Sequence, residues 1–266
     1  MFKIPGSDVA GTVEALGSNA KKFKPGDAVF GDLFMSGFGA FAEYVSVPEK
    51  VLEPKPASMT FEEAATYPQA GLIALQSVRG KKEIRPGHEV LINGAGGGMG
   101  TFGIQIAKYY GAEVTAVDNT EKLEFLRKIG ADHVIDYTKE DYTRSGKLYD
   151  LVVDVAAHHS VFDHKRVLKP DGIFVIVGGA RSSIFQTIIL GPLITIGEEK
   201  KMGLNPIRTD NKKDMEFLIE LYEAGKVKPV IDKRYSLSEV PEAYRYLEEG
   251  HAKGKLVITV DHNDKA

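Results

Sequence analysis

The 266-residue chain contains no cysteine. That absence excludes disulfides, thiolate zinc sites, iron–sulfur clusters and cysteine nucleophiles together, and it fits a reducing compartment. Long apolar runs are also missing. The longest, Ile184 to Ile196, is broken by Gln186, Gly191 and Pro192 and is too short to cross a bilayer. It is expected to form a buried strand or a subunit contact. A large excess of either charge is absent too. Lys and Arg number 34 and Asp and Glu 37, a net charge of −3, which gives no electrostatic reason to seek nucleic acid or an anionic membrane. The opening "MFKIPGSDVAG" reaches a glycine too soon for the apolar stretch of a signal peptide, so a cytoplasmic protein is expected. No internal repeat or low-complexity segment interrupts the chain.

What remains is an ordinary globular composition with three textures. Residues 1 to about 72 are punctuated by Gly and Pro, with short β-like runs "GTVEALG", "DAVFG" and "AFAEYVSVP" and a tight turn at "KPGD". These predict mostly antiparallel sheet. A helix begins at "TFEEAA", where Thr60 is a good N-cap and Glu63 stands at capping-box spacing. From about 84 to 178, apolar runs ("EVLIN", "EVTAVD", "HVIDY", "YDLVVDV", "IFVIVGG") alternate with helical patterns, among them Met99–Tyr110 and Glu121–Ile129. Strands buried on both faces with helices crossing between them predict an α/β fold with a doubly wound parallel sheet. The last region predicts helices over Asp214–Ala224 and Glu239–Glu249, a final strand "KLVITV" and a polar, fraying tail.

The stretch "VLINGAGGGMG" joins the first strand of that sheet to its helix. Glycines there let the chain turn tightly, let backbone N–H groups approach a ligand and let the helix start close to the strand. The helix N-terminus then favours an anion, usually a pyrophosphate. GxGxxG does not fit the spacing. GxxGxxG at Gly94, Gly97 and Gly100 does, as does AxGxxG from Ala95, with Gly98 and Met99 inside the loop. No Lys-Ser/Thr follows, which disfavours a P-loop. Asp118 ends the second strand 18 positions after Gly100, where a carboxylate can accept both hydroxyls of an adenosine ribose or cap the next helix. It repels the extra phosphate of NADP, while Lys122, a flexible and solvated side chain, attracts it. The expectation is NAD(H) preferred, with NADP(H) possible.

The segments "GSDVAGTVEALG", "FKPGDAVFG", "GAFAEYVSVP", "TFEEAATYPQAGLIAL", "VLINGAGGGMG", "IGADHVIDY" and "GHAKGKLVI" carry a family likeness over nearly the whole length. The chain resembles the zinc-independent, quinone-oxidoreductase-like branch of the medium-chain dehydrogenase/reductase superfamily. The resemblance implies a Rossmann domain (73–209) inserted in a GroES-like, mainly β catalytic domain (1–72 plus 210–266). It implies hydride transfer between nicotinamide and a quinone, an enone or a small carbonyl. Zinc members carry a His-Glu pair where this chain has Ser7-Asp8, so no zinc or other metal is expected. Relatives begin with further strands ahead of "GSDVAG". The catalytic domain here is therefore expected to lack its opening strands, which makes a cofactor-binding protein without turnover the alternative reading. A methyltransferase is a more distant alternative.

The resemblance also points to individual residues. Tyr67 lies in a segment that runs beside the nicotinamide in the family and would donate a hydrogen bond or a proton, or else pack in the core. Ser7, and equally Gln69, would donate to a substrate oxygen. Backbone around Val155–Ala157 and at Gly178 and Gly179 would meet the cofactor. His158 and His159 are expected to diverge, and His164 with either of them would make only an accidental surface metal site. Lys253 and Lys255 read as a solvated turn. The family pairs as a homodimer by joining sheet edges, here expected near Ile184–Ile196. The remaining partner is a small-molecule substrate, with no nucleic acid or membrane.

Overall fold

A computed structural model describes residues 4–80, 82–204, 208 and 211–260. The tail 261–266 and the boundary near 209–210 lie outside them. The chain forms two compact units, one of Met1–Leu72, Arg208–Glu223 and Pro229–Ala266, the other of Ile73–Ile207 and Ala224–Lys228.

The first unit opens with β1 (Asp8–Thr12), β2 (Ala28–Asp32) and β3 (Leu52–Pro54), an antiparallel sheet in that order. The turn before β2 closes where Asp27 N–H donates to Lys24 O at 3.1 Å. "AFAEYVSVP" is not a strand. Its alternation is right, and the Ala40 and Phe41 N–H groups donate to Gly6 and Pro5 oxygens, but among the described residues no strand pairs with it. Helix α1 (Phe61–Ala64) starts with the expected reciprocal cap: Thr60 accepts from the Glu63 N–H, and Glu63 accepts from the Thr60 N–H. Helix α2 (Ala70–Arg79) follows.

The second unit contains β4 (Glu89–Asn93), α3 (Gly98–Tyr109), β5 (Glu113–Asp118), α4 (Leu123–Lys128), β6 (His133–Asp136), β7 (Tyr149–Asp154), α5 (Val161–Arg166), β8 (Leu168–Ile176), α6 (Arg181–Ile194) and β9 (Lys201–Leu204). The six strands form one parallel sheet in the order β6-β5-β4-β7-β8-β9. Strand order reverses between β4 and β7. Right-handed crossovers then send the helices that follow β4 and β7 to opposite faces, and a crevice opens above these two strand ends. Val90, Leu91, Ile92, Val152 and Val153 are wholly or almost wholly buried, as continuous apolar strands require.

The run Ile184–Ile196 is mostly helix, not strand. Small and polar Ser183, Thr187 and Gly191 face inward at helical spacing, and a Cβ on Gly191 would lie 3.2 Å from Met202. Large residues also point outward, Phe185 65% and Leu193 57% exposed. The strand expectation fails because a small-residue stripe lets the helix pack closely on the sheet, with Ile184, Leu190 and Ile194 partly buried against the core and Phe185, Ile188, Ile189 and Leu193 left exposed. Edge-to-edge pairing of this run as a strand is therefore ruled out. The true sheet edge on that side is β9.

The chain returns to the first unit with α7 (Lys212–Glu223), β10 (Ile231–Ser236), α8 (Val240–Glu248) and β11 (Lys255–Thr259); β10 and β11 pair in parallel. The helices and β11 lie close to where periodicity predicts them. β10 was not foreseen, because "IDKRYS" carries too much charge to read as a buried strand.

The join of β4 to α3 has no room for a side chain at position 100. A Cβ on Gly100 would lie 2.5 Å from Ala95 O and 2.6 Å from its Cα, and backbone cannot step aside. Gly100→Ala should destabilise the fold by about 1–3 kcal/mol through overpacking, read as a lower urea midpoint at unchanged slope. A midpoint equal to the parent's would show that α3 shifts freely.

Candidate functional site

The glycine loop sits at the strand-order reversal. Gly94 has φ +75° and turns the chain directly after β4. A Cβ there would meet the Ala156 Cβ at 3.0 Å. Gly97 is the N-cap of α3 and provides no capping side chain. Thr101 N–H donates to Gly97 O at 3.0 Å. Helix geometry leaves the N–H groups of Gly98, Met99 and Gly100 without an intrahelical acceptor. Three donors and the positive end of the helix dipole thus point outward from a loop without side chains at 96–98.

Asp118 and Lys122 complete this corner, though not as expected. Asp118 ends β5 and is buried. Its Oδ2 accepts from the Gly96 N–H (2.7 Å) and its Oδ1 from the Asn119 N–H (2.9 Å). Lys122 is not solvated. It is 6% exposed, its Nζ pairs with Asp118 Oδ1 at 3.4 Å, and its aliphatic stem covers Gly96 so closely that a Cβ there would strike Lys122 Cδ. Asp118 is thus a brace of the glycine loop as well as a charge at its rim.

The loops after β7 and β8 are zipped together beside it. Ala157 N–H donates to Gly178 O (3.1 Å) and Ala180 N–H to Ala157 O (2.7 Å). Gly179 has φ +122°, and a Cβ on it would collide with the Ala157 backbone. Val155 and Gly178 are half-buried and Gly179 exposed, so this backbone stays open to a ligand. All ten residues predicted to meet cofactor fall in this one unit, around the ends of β4, β5, β7 and β8.

Below the loops lies a buried polar group that motif reasoning missed. Asn93 ends β4 and Asp154 ends β7. Asn93 Nδ2 donates to Asp154 Oδ1 (2.8 Å), which also accepts from the Ala156 N–H (3.1 Å). On the other side Tyr142 Oη donates to Asp154 Oδ2 (3.3 Å) and contacts His164 Nδ1 (3.3 Å). Burial pushes the Asp154 carboxyl up to about 6, and burial pushes the His164 imidazole down to about 3. His164 is wholly buried, stacked on Phe174, so it takes no part in a surface metal site. His158 and His159 do not diverge. They lie in an irregular loop with ring centroids 4.1 Å apart. Among the described residues no group of three His, Cys, Asp or Glu could hold a metal.

In the first unit the structure separates the alternatives for Tyr67 and corrects one further expectation, that of Lys255. Tyr67 is wholly buried, edge-on to Tyr222, and burial raises its hydroxyl above the ordinary tyrosine range. This placement fits the packed-aromatic alternative. Lys255 is no solvated turn residue: its Nζ reaches Asp8 Oδ2 at 2.8 Å. Asp8 Oδ1 accepts from the Gln69 N–H (3.0 Å), and Ser7 Oγ lies 3.5 Å from Gln69 Oε1. Ser7, half-buried, and Gln69 thus stand side by side. Asp32 stands opposite Asp8 across β1 and β2, and burial pushes its carboxyl up to about 6.

This geometry has counterparts. Residues 129–258 match the zinc-binding dehydrogenase family and residues 2–57 the alcohol dehydrogenase GroES-like domain. The chloroplast envelope quinone oxidoreductase homolog of Arabidopsis thaliana is 34% identical over 96% of this chain and 79% of its own length. The chain belongs to the medium-chain dehydrogenase/reductase superfamily, in its quinone-oxidoreductase-like branch. The 2-methylene-furan-3-one reductase of Solanum lycopersicum is 37% identical, but this chain spans only 63% of its length. Among solved structures, the quinone oxidoreductase of Coxiella burnetii superposes with a TM-score of 0.86 at 29% identity, covering 97% of this chain and 79% of that one. The Escherichia coli quinone oxidoreductase complexed with NADPH gives 0.84 at 25%, covering 96% and 82%.

The residues present fit the pyrophosphate of a dinucleotide. Gly97 bears on this directly, since a Cβ there meets nothing nearer than Gly94 O at 3.7 Å. Aspartate is a favourable N-cap, so Gly97→Asp should leave the circular dichroism and the melting temperature of the parent intact or slightly improved. It puts negative charge where the pyrophosphate belongs, and NADH or NADPH titrated by fluorescence should no longer bind. Near-parental affinity would remove this loop from the cofactor site.

Proposed function

We propose that the chain is an NAD(P)H-dependent oxidoreductase that transfers hydride between nicotinamide and a quinone, an enone or a small carbonyl, without zinc. The observation that carries this is the uncapped N-terminus of α3 at the strand-order reversal of a parallel sheet, within a chain whose relatives bear oxidoreductase names. One of them, from Arabidopsis thaliana, is an NADPH-dependent alkenal/one oxidoreductase, 36% identical over 96% of this chain and 63% of that protein. The match of residues 2–57 to a GroES-like domain speaks against the methyltransferase alternative.

The bound dinucleotide would supply the hydride. The N–H groups of Gly98, Met99 and Gly100 would hold its pyrophosphate, Asp118 and Lys122 its adenosine ribose, and the backbone of Val155, Gly178 and Gly179 its nicotinamide side. Without a Lewis acid, charge growing on the substrate oxygen must be met by hydrogen-bond donors, for which Ser7 and Gln69 are the candidates. Asp8 stands where zinc relatives carry a ligand, but its two oxygens are already used by Lys255 and by the Gln69 N–H. Reduced nicotinamide mixed with the protein should lose its absorbance on adding a quinone or an enone, at the same rate after exhaustive chelation. Cofactor binding without any turnover across both substrate classes would favour the non-catalytic alternative.

We further propose that NAD(H) is preferred, because Asp118 puts a carboxylate where NADP carries its extra phosphate while Lys122 is held by that carboxylate. Asp118→Asn keeps an acceptor for the Gly96 N–H, removes the repulsion and frees Lys122. NADPH affinity should rise about tenfold relative to NADH, about 1.4 kcal/mol, measured at one fixed salt concentration. An unchanged ratio would show that Asp118 serves the loop alone.

A homodimer is proposed through α6 and β9. The outward face of α6 carries Phe185, Ile188, Ile189 and Leu193, and the edge strand beside it exposes Leu204. An apolar helix face next to an open edge suits a second copy packed through both. Light scattering should report a dimer at micromolar concentration, and Phe185→Asp with Leu193→Asp should report a monomer that still binds NADH. A parent that is monomeric throughout that range would rule out this interface.

A further inference from the structure

The crevice at the strand-order reversal has a polar floor. Asn93 and Asp154 occupy the last positions of β4 and β7, are register partners in the sheet, and are 2% and 0% exposed. Strand ends at this depth ordinarily carry apolar residues, as Ile92 and Val153 do one step below. Burying an amide and a carboxylate costs free energy unless their bonds are made, and the raised Asp154 carboxyl reports that cost. Here the bonds are made, and their direction is informative. Both residues converge on the two peptide units that flank one residue of the loop above: Asp154 Oδ1 accepts from the Ala156 N–H (3.1 Å), and Asn93 Nδ2 donates to Ala156 O (3.4 Å) as well as to Asp154 (2.8 Å).

Ala156 is also the residue whose Cβ would be 3.0 Å from a Cβ at Gly94. The β7 loop and the glycine loop therefore touch directly above the pair. From there the two loops depart toward opposite faces of the sheet, and a dinucleotide crossing the crevice must pass over this contact. We propose that Asn93 and Asp154 are positioning residues for the dinucleotide: they clamp both polar groups of Ala156 and so fix the spacing of the two loops before cofactor arrives. Neither side chain touches the ligand. Tyr142 holds Asp154 from below through Oδ2, leaving Oδ1 for the clamp. This rests on the cofactor reading above and adds what preforms the site.

The test is a reciprocal exchange, with NADH affinity by fluorescence and melting temperature recorded for each protein. Asn93→Asp sets two carboxylates against each other and should raise the NADH dissociation constant about tenfold or more, the scale of coupling between groups in one network. Adding Asp154→Asn to it relieves the like-charge repulsion but leaves no donor facing Ala156 O. The double variant should melt higher than Asn93→Asp alone and still bind NADH about threefold or more weaker than the parent, the lower end of such coupling. Asn93→Ala, which removes the donor without adding charge, should weaken binding by about tenfold on the same scale if Asn93→Asp does not fold. A melting temperature that follows this pattern while every folded variant binds NADH as the parent does would make the pair merely structural and overturn the proposal. A parent that binds neither NADH nor NADPH would instead overturn the cofactor reading, and this proposal with it.

Discussion

Two backbones touch where β4 gives way to α3, and the rest of the cofactor corner is arranged around that contact. Gly100 lies against Ala95, so the first turn of α3 is fixed within a few ångströms of the strand that precedes it. Only because the helix begins that close do its free N–H groups sit at the strand ends, not a turn higher. The same closeness leaves a pocket over Gly96 that the stem of Lys122 fills, and it brings Gly94 against Ala156. Alanine at 94, 96 or 100 would force these backbones and the Lys122 stem apart.

The doubly wound sheet was legible because strands buried on both faces cannot hide their composition: Val90–Ile92 and Leu151–Val153 are continuous apolar runs with nothing else they could be. The glycine loop was legible for the opposite reason, since so many glycines in a regular element would weaken it. The reciprocal cap at Thr60 and Glu63 was read from spacing alone. What stayed hidden depends on distant partners. Lys122 looks like any surface lysine until its carboxylate is seen buried beside it. Asp8 and Lys255 stand 247 positions apart, and nothing local marks them as a pair. Tyr67 is a tyrosine in a promising segment, but only packing shows that Tyr222 covers its ring.

Two misreadings share a cause. "AFAEYVSVP" and Ile184–Ile196 both have patterns that satisfy a strand, and neither is paired as one among the described residues. Pattern reports what a segment can bury, and hydrogen bonding decides the element. Conversely, the Asn93 and Asp154 signal was present in the sequence. Two apolar runs destined for adjacent places in one sheet each end on a short polar side chain, and that coincidence could have been noticed before any geometry was known.

The inverted helix α6 has a consequence for how the protein behaves in a tube. Its small residues face the sheet and Ile184, Leu190 and Ile194 pack on the core, while the apolar area of Phe185, Ile188, Ile189 and Leu193 is turned outward and contributes only when another surface meets it. In the proposed dimer part of the stability of the β9 edge would reside in association, linked to it by mass action, and dilution would act as a weak denaturant for this region. The unfolding temperature of such a dimer would climb with protein concentration.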